Sequence, residues 1–259
     1  MTSTFYQHGP NECGQCFPES LPMGWLKTQR DFGARPHDAW RLTYSPGYWG
    51  SPDPSVLVLG FSKGPNQMKR GLAFDDIAFA GGRGNLTKIL CALELLRPGE
   101  RVEDRLHSGE RDFGFASLIR CGIGMWDEKG AEYRSSGGNI LVKAVASPEA
   151  EAVVRNCTQR AFGSLPTRLR LVVMLGNTTD YVEQCYRRIR AIHLDVSMLP
   201  GNPMAYGNNR VRWVHAIHFK ALGNHIPRWL GEDYNGGYAS TTNREHAIDA
   251  IRDLGLRLE

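Results

Sequence analysis

The sequence predicts an α/β protein: a three-layer arrangement with a short central parallel sheet of about four strands between helices. Three observations carry this. Short apolar runs occur at residues 56–59, 115–120, 169–175 and 211–217. Helix-like segments alternate with them, the pattern of parallel strands joined by crossover helices. No repeat, low-complexity tract or linker divides the 259 residues, a length sufficient for one domain with a well-buried core.

The bulk properties exclude some classes. The formal net charge is +4 and the isoelectric point is about 8.8, which suits a polyanionic partner without requiring one. No secretory leader and no membrane-length apolar run is visible, so a cytoplasmic monomer with no membrane partner is the expectation. Six cysteines in such a chain point to metal ligation or free thiols over disulfides.

Residues 1–54 lack periodicity and read as an irregular arm, with one short helix near Pro22 to Arg30. The arm carries Cys13-Gly-Gln-Cys16, which is a redox pair, half a metal site or chance; the βαβ context of a thioredoxin-like pair is absent. Val56-Leu57-Val58-Leu59 reads as a strand buried on both faces. Gly60 and Gly64 bracket the loop after it, at the carboxyl end where open α/β sheets bind ligands. This loop has neither the dinucleotide spacing nor a Gly-Lys-Ser/Thr, so a nucleotide cofactor is not indicated.

A second glycine turn, Gly81 to Asn85, precedes a helix-like segment from Leu86 to Leu96. Cys121 ends the next strand, and Cys157 sits in a helical stretch from Pro148 to Phe162. Four thiolates drawn from one CxxC and two remote positions suit tetrahedral zinc or an iron–sulfur cluster, and composition does not choose between them. Residues 122–147 read as an inserted loop. Cys91 and Cys185 read as buried thiols. The third strand ends in Gly176-Asn177-Thr178, and the following helix carries Arg187 and Arg188, either a solvated face or phosphate contacts. The last strand runs into His215, His218 and a loop through Asn224, and an amphipathic helix from Asn243 to Leu258 closes the chain.

Three segments together resemble a family. GPNQMKRGLAF (64–74) is similar to the segment after the water-activating motif of uracil-DNA glycosylases. Gly60-Phe-Ser-Lys-Gly-Pro65 resembles a Gly-Met-Asn-Pro-Gly-Pro motif of the single-strand-selective branch, and Phe79-Ala-Gly81 with Gly84-Asn85 resembles a motif of the mismatch-specific branch. The resemblance to the uracil-DNA glycosylase superfamily covers roughly residues 10–230. It implies a DNA glycosylase that flips a base out of DNA and hydrolyses its glycosidic bond. The order Cys13, Cys16, Cys121, Cys157 resembles the iron–sulfur branches and implies a [4Fe-4S] cluster, with zinc as the alternative, although the last interval is about twice the family's.

By resemblance, Phe74 is the stacking platform, His218 a donor to the leaving base and Leu222 the wedge filling the gap in the duplex. Gly60, Phe74, Asn85 and Ser117 are the base-binding set, and Lys220, Leu222, Arg187 and Arg188 face DNA. The catalytic loop departs from the family: Ser62 stands in the place of the water-activating Asp or Asn, and a hydroxyl is a poor base at neutral pH. Asp75 and Asp76 are the nearest carboxylates, able to substitute for it or to cap the next turn. Lys63 is either a Schiff-base nucleophile or a phosphate ligand. Ser117 replaces a base-reading Asn, and the Tyr that excludes substituents at the pyrimidine 5-position has no counterpart. A roomier pocket follows, for a damaged base or for a hypermodified cytosine of phage DNA removed in antiviral defence. The alternatives are repair of uracil or another deaminated base, and a DNA-binding relative that traps its target or has lost hydrolysis.

Overall fold

The computed structural model describes residues 4–17, 24–25, 28–34, 38–68, 71–135, 140–232 and 239–258. The strands in chain order are β1 (Gly9–Pro10), β2 (Gln29–Ala34), β3 (Asp38–Thr43), β4 (Gly47–Gly50), β5 (Val56–Gly60), β6 (Phe113–Ser117), β7 (Gly122–Asp127), β8 (Glu132–Arg134), β9 (Leu171–Leu175), β10 (Ser197–Met198), β11 (Ala205–Gly207) and β12 (Arg212–Ala216). The helices are α1 (Phe74–Ile77), α2 (Arg83–Ala92), α3 (Ile140–Ala146), α4 (Pro148–Phe162), α5 (Thr179–Ile192), α6 (His225–Leu230) and α7 (Ala239–Arg252).

The α/β class stands, but the sheet is larger than four strands. Eight strands lie in the order β1-β4-β6-β5-β9-β12-β11-β10. The inner four, β6-β5-β9-β12, are parallel and correspond to the four apolar runs. Antiparallel strands extend both edges. Every residue of β5, β6 and β9 is buried, as expected of strands covered on both faces. Alternation divides them between two cores. Leu57, Leu59, Val172 and Met174 face α4 and α5, whereas Val56, Val58, Leu171 and Val173 face α2, α6 and α7. Each such fully buried aliphatic side chain contributes about 1.5–3 kcal/mol.

Helix α4, which carries Cys157, has a well-defined start. Ser147 accepts a hydrogen bond from the Ala150 amide at 3.2 Å, and Pro148 occupies the first turn, where its missing N–H costs nothing.

Two expectations are corrected. Residues 1–54 are not an irregular arm: they supply β1 to β4, and the segment expected as a helix from Pro22 to Arg30 is strand from Gln29 onward and lies partly outside the described residues. Residues 122–147 are not an inserted loop: β7 and β8 join β2 and β3 in a second, antiparallel sheet of order β2-β3-β7-β8, and α3 follows. The turn expected at 135–138 lies mostly outside the described residues. Among the described residues no helix is long and apolar enough to cross a membrane.

Close packing between β6 and β4 leaves no room for a methyl group at Gly114, where a Cβ would lie 1.9 Å from the Tyr48 hydroxyl. Gly114→Ala is therefore expected to destabilise the fold by about 1–3 kcal/mol. A urea titration checks this: the midpoint falls while the slope stays unchanged.

Candidate functional site

The chain leaves β5 for β6 on one side and later returns to β9 on the other, so the topological switch point lies between β5 and β9. A crevice outside the carboxyl ends of strands at such a point is where open sheets bind ligands. The loop 61–64 follows β5 there, and the loop 176–178 follows β9. Gly60 pairs with Ser117, and the amides of Leu118 and Ile119 donate to the carbonyls of Gly60 and Phe61, each at 2.8 Å. On the other side the Gly176 amide donates to Ala216 at 2.7 Å. The topology thus brings Gly60, Ser62, Ser117 and the loop containing His218 to one edge of the sheet. Ser62 is half-buried and Ser117 is buried.

His218 is half-buried, with its ring stacked on Phe219 at 4.5 Å. Burial, assisted by the Lys220 charge, lowers its pKa to about 4, so the ring is neutral at physiological pH. The Lys220 amide donates to its Nδ1 at 3.1 Å, which places the proton of the neutral ring on Nε2. Asn85 does not point to a base: its Nδ2 donates to the Phe219 carbonyl at 3.1 Å and moors this loop to α2. Gly82 lies so close that a Cβ there would meet the Phe219 ring at 2.1 Å. Leu222 is 84% exposed in the same loop, as a wedge must be. His215, the other histidine of this strand end, is fully buried. Its Nδ1 donates to the Gly176 carbonyl at 2.7 Å, and its Nε2 accepts from the Tyr206 hydroxyl at 3.3 Å.

Phe74 opens α1 as part of an aromatic group. Trp49 stacks on it at 4.5 Å with 15° between the planes, Trp25 meets it edge-on at 5.3 Å, and the His8 ring lies 6.0 Å away. One face of the expected platform is therefore covered by Trp49. Asp75 does not cap a turn with its side chain; its carboxylate receives the Nε2 proton of His8 at 3.0 Å, while the Gly50 amide donates to His8 Nδ1.

Lys63 is corrected. Its ammonium is fully buried and donates to the Arg120 carbonyl at 2.5 Å, with the Trp25 and Trp49 rings each 5.6 Å away. Burial lowers its pKa to about 7. An amine enclosed in this way reaches neither a sugar nor a phosphate. The arginines of α5 are corrected too. Arg188 pairs with Glu151 of α4 at 2.5 Å and so serves helix packing, whereas Arg187 pairs with Glu183 one turn earlier at 2.5 Å on the exposed face of its own helix.

Cys13, Cys16, Cys121 and Cys157 line one recess together with Phe5, Phe17 and Arg120. β1 and β4 hold the CxxC end of the chain, and α4 delivers Cys157; β6 ends at Ser117, so Cys121 does not end that strand but lies in the connection directly before β7. Burial raises the Cys16 thiol to about 11, with Cys157 and Cys13 adding to the shift, and Cys121 is raised by burial and then by Cys157. The sulfurs therefore share one electrostatic neighbourhood. Among the described residues no three His, Cys, Asp or Glu side chains converge to hold a single metal ion. Cys91 lies away from this recess in α2, and Cys185 is buried in α5.

Neither a family model nor a curated protein matches this chain. Four residues of the two sites escape the sequence reading: His8, Trp25, Trp49 and Arg120. None belongs to a spaced motif, and the pairing of β1 with β4 and of β4 with β6 is what brings His8 and Trp49 to Phe74.

Proposed function

We propose that this protein is a DNA glycosylase acting on a modified or damaged base, with a [4Fe-4S] cluster, or zinc in its place, bound by Cys13, Cys16, Cys121 and Cys157. The observation that carries the reading is the neutral His218 on the same sheet edge as Gly60, Ser62 and Ser117, in the loop that presents the exposed Leu222. In the reaction the bond between the sugar C1′ and the base nitrogen breaks, and its electron pair leaves with the base. The oxygen of water bonds to C1′, and the water proton passes to a carboxylate or to solvent. His218 Nε2–H supports the negative charge that develops on the departing base, a preorganised donor in a water-poor site. Asp75, held by His8, is the carboxylate placed beside the aromatic group to orient water or steady the sugar cation. Phe74 and Trp25 offer the apolar surface for the extruded base.

The four thiols fit a thiolate-bound group by number, enclosure and chemistry. Such a group would supply a crosslink between the segment after β1, the β6–β7 connection and α4. The buried Lys63 removes support from a covalent trap through that residue. Duplex and single-stranded DNA containing uracil, deaminated purines, or hydroxymethylcytosine with and without sugar would be incubated with the protein and treated with alkali. Strand cleavage on at least one modified DNA, lost in His218→Ala, is the expected result. Tight binding to all of these DNAs without abasic sites would leave a DNA-binding relative in place of an enzyme.

A further inference from the structure

Arg120 is a buried cation without an acidic partner among the described residues. It is 1% exposed, and among the described residues none of its three guanidinium nitrogens finds a hydrogen-bond acceptor. Four aromatic rings surround it, with centroids 6.0 Å (Phe5), 5.5 Å (Tyr6), 5.8 Å (Tyr48) and 5.7 Å (Phe162) from the guanidinium carbon. The two tyrosine hydroxyls do not serve it, because Tyr6 donates to the Ala161 carbonyl and Tyr48 to the Ser51 carbonyl. Its electrostatic neighbours besides these rings are the thiols of Cys157 and Cys13.

A guanidinium cannot shed its charge at any physiological pH, and burying it unpaired costs several kcal/mol. Cation–π contacts return about 0.5–2 kcal/mol and leave five N–H donors unsatisfied. The deficit is local. The Arg120 amide donates to Cys157 Sγ at 3.2 Å, and its side chain lines the cysteine recess. Lys63, the second fully buried basic side chain, sits against the Arg120 carbonyl and has Cys121, Arg120 and Cys157 as its electrostatic neighbours. Two cations without carboxylates beside four thiols describe half of a charge-neutral arrangement.

We propose that Arg120, seconded by Lys63, is the counter-charge of an anionic, thiolate-bound metal group in the cysteine recess. Four thiolates on Zn²⁺, or on a cubane core of charge +2, leave a net charge of −2; the fixed charge of Arg120 offsets one unit, and the Lys63 amine offsets a second when protonated. Arg120 is a positioning and charge-compensating residue, not a ligand. It favours the loaded state and, for an iron–sulfur group, the more negative reduced form. The inference rests on the proposed cofactor and not on the proposed glycosylase activity.

The test uses the full-length protein, emptied and then reloaded either with ferrous iron and sulfide under anaerobic reduction or with Zn²⁺. Arg120→Met keeps the length and apolar packing of the side chain and removes the charge; Arg120→Lys keeps a charge. In R120M the emptied protein is expected to unfold at higher urea concentration than wild type, because an unpaired buried charge is gone. The same variant, once loaded, is expected to lose its metal to chelator at least tenfold faster, and an iron-loaded form to reduce at a more negative potential. R120K restores most of the retention. Should R120M fail to accumulate, Lys63→Met reads the same retention and potential. Metal retention and potential equal to wild type in the variant that is measured overturn the proposal while leaving the cofactor standing. A wild-type protein that takes up neither iron and sulfide nor zinc overturns the cofactor and this proposal together.

Discussion

Under the proposed cofactor, replacing Cys157 by serine is expected to remove the metal group and to lower the melting temperature by about 10 °C. Serine preserves the size of the side chain at the recess, but its hydroxyl does not ionise near neutral pH and cannot replace a thiolate ligand. A group held at a thousandfold excess over its dissociation constant adds about 4 kcal/mol to folding stability. For a chain of this size each kcal/mol is worth about 2–4 °C. The expectation is specific to the recess. Cys91→Ser, in α2 and away from the recess, is expected to keep both metal content and melting temperature. Metal analysis with a thermal melt of both variants decides it: a Cys157→Ser protein that melts with wild type and carries as much metal would refute a ligand role.

Acidification from pH 6.5 to pH 4 is expected to cost about 3 kcal/mol of stability through His215 alone. Its ring is fully buried between the Gly176 carbonyl and the Tyr206 hydroxyl, and burial holds its pKa at about 4 against an ordinary 6.5. A histidine with a depressed folded pKa contributes its stability above the unfolded value, where both states are neutral. The contribution is lost as the pH falls through the interval between the two values, because the unfolded chain takes up the proton first. A shift of this size corresponds to about 3 kcal/mol. Urea unfolding at intervals across that range measures it. His215→Gln is expected to be less stable than wild type at pH 7 and to show a flatter decline toward pH 4. Parallel curves for the two proteins would assign the acid sensitivity elsewhere. His218 titrates over the same interval, so its neutral form is retained at the pH of the proposed reaction.

The parallel core was legible because burial on both faces writes itself into the sequence as apolar runs, unbroken in β5 and β9 and interrupted by Gly or Ser in β6, while β12, RWVHA, shows instead as an alternating run. The second sheet was not. Its strands QRDFGA, DAWRLT and GIGMWD mix charges with aromatics, because only one face is covered and the other carries pairs such as Arg41 with Asp31. Neither an alternating nor a helical period stands out in six residues of that kind. The four cysteines were legible as a set, and the structure gathers them in one recess. The fates of Lys63, Arg187 and Arg188 were not, since a charged residue looks the same in sequence whether it faces solvent, a carboxylate or the interior. Asn85 illustrates the same limit: its motif placed it near the site, but its hydrogen bond goes to the loop behind His218.

The recess draws its sulfurs from β1's end of the chain, from the connection between β6 and β7 and from α4, and this has a consequence during synthesis. Cys13 and Cys16 leave the ribosome long before Cys157 exists. At roughly 5–20 residues per second, the first pair waits on the order of 7–30 s for its last partner. Through that interval two thiols stand near the amino end of an unfinished chain, open to oxidation against each other or to capture by a stray metal. The proposed group can therefore be inserted only after Cys157 has emerged, and the yield of loaded protein should depend on how reducing the cell is while translation proceeds.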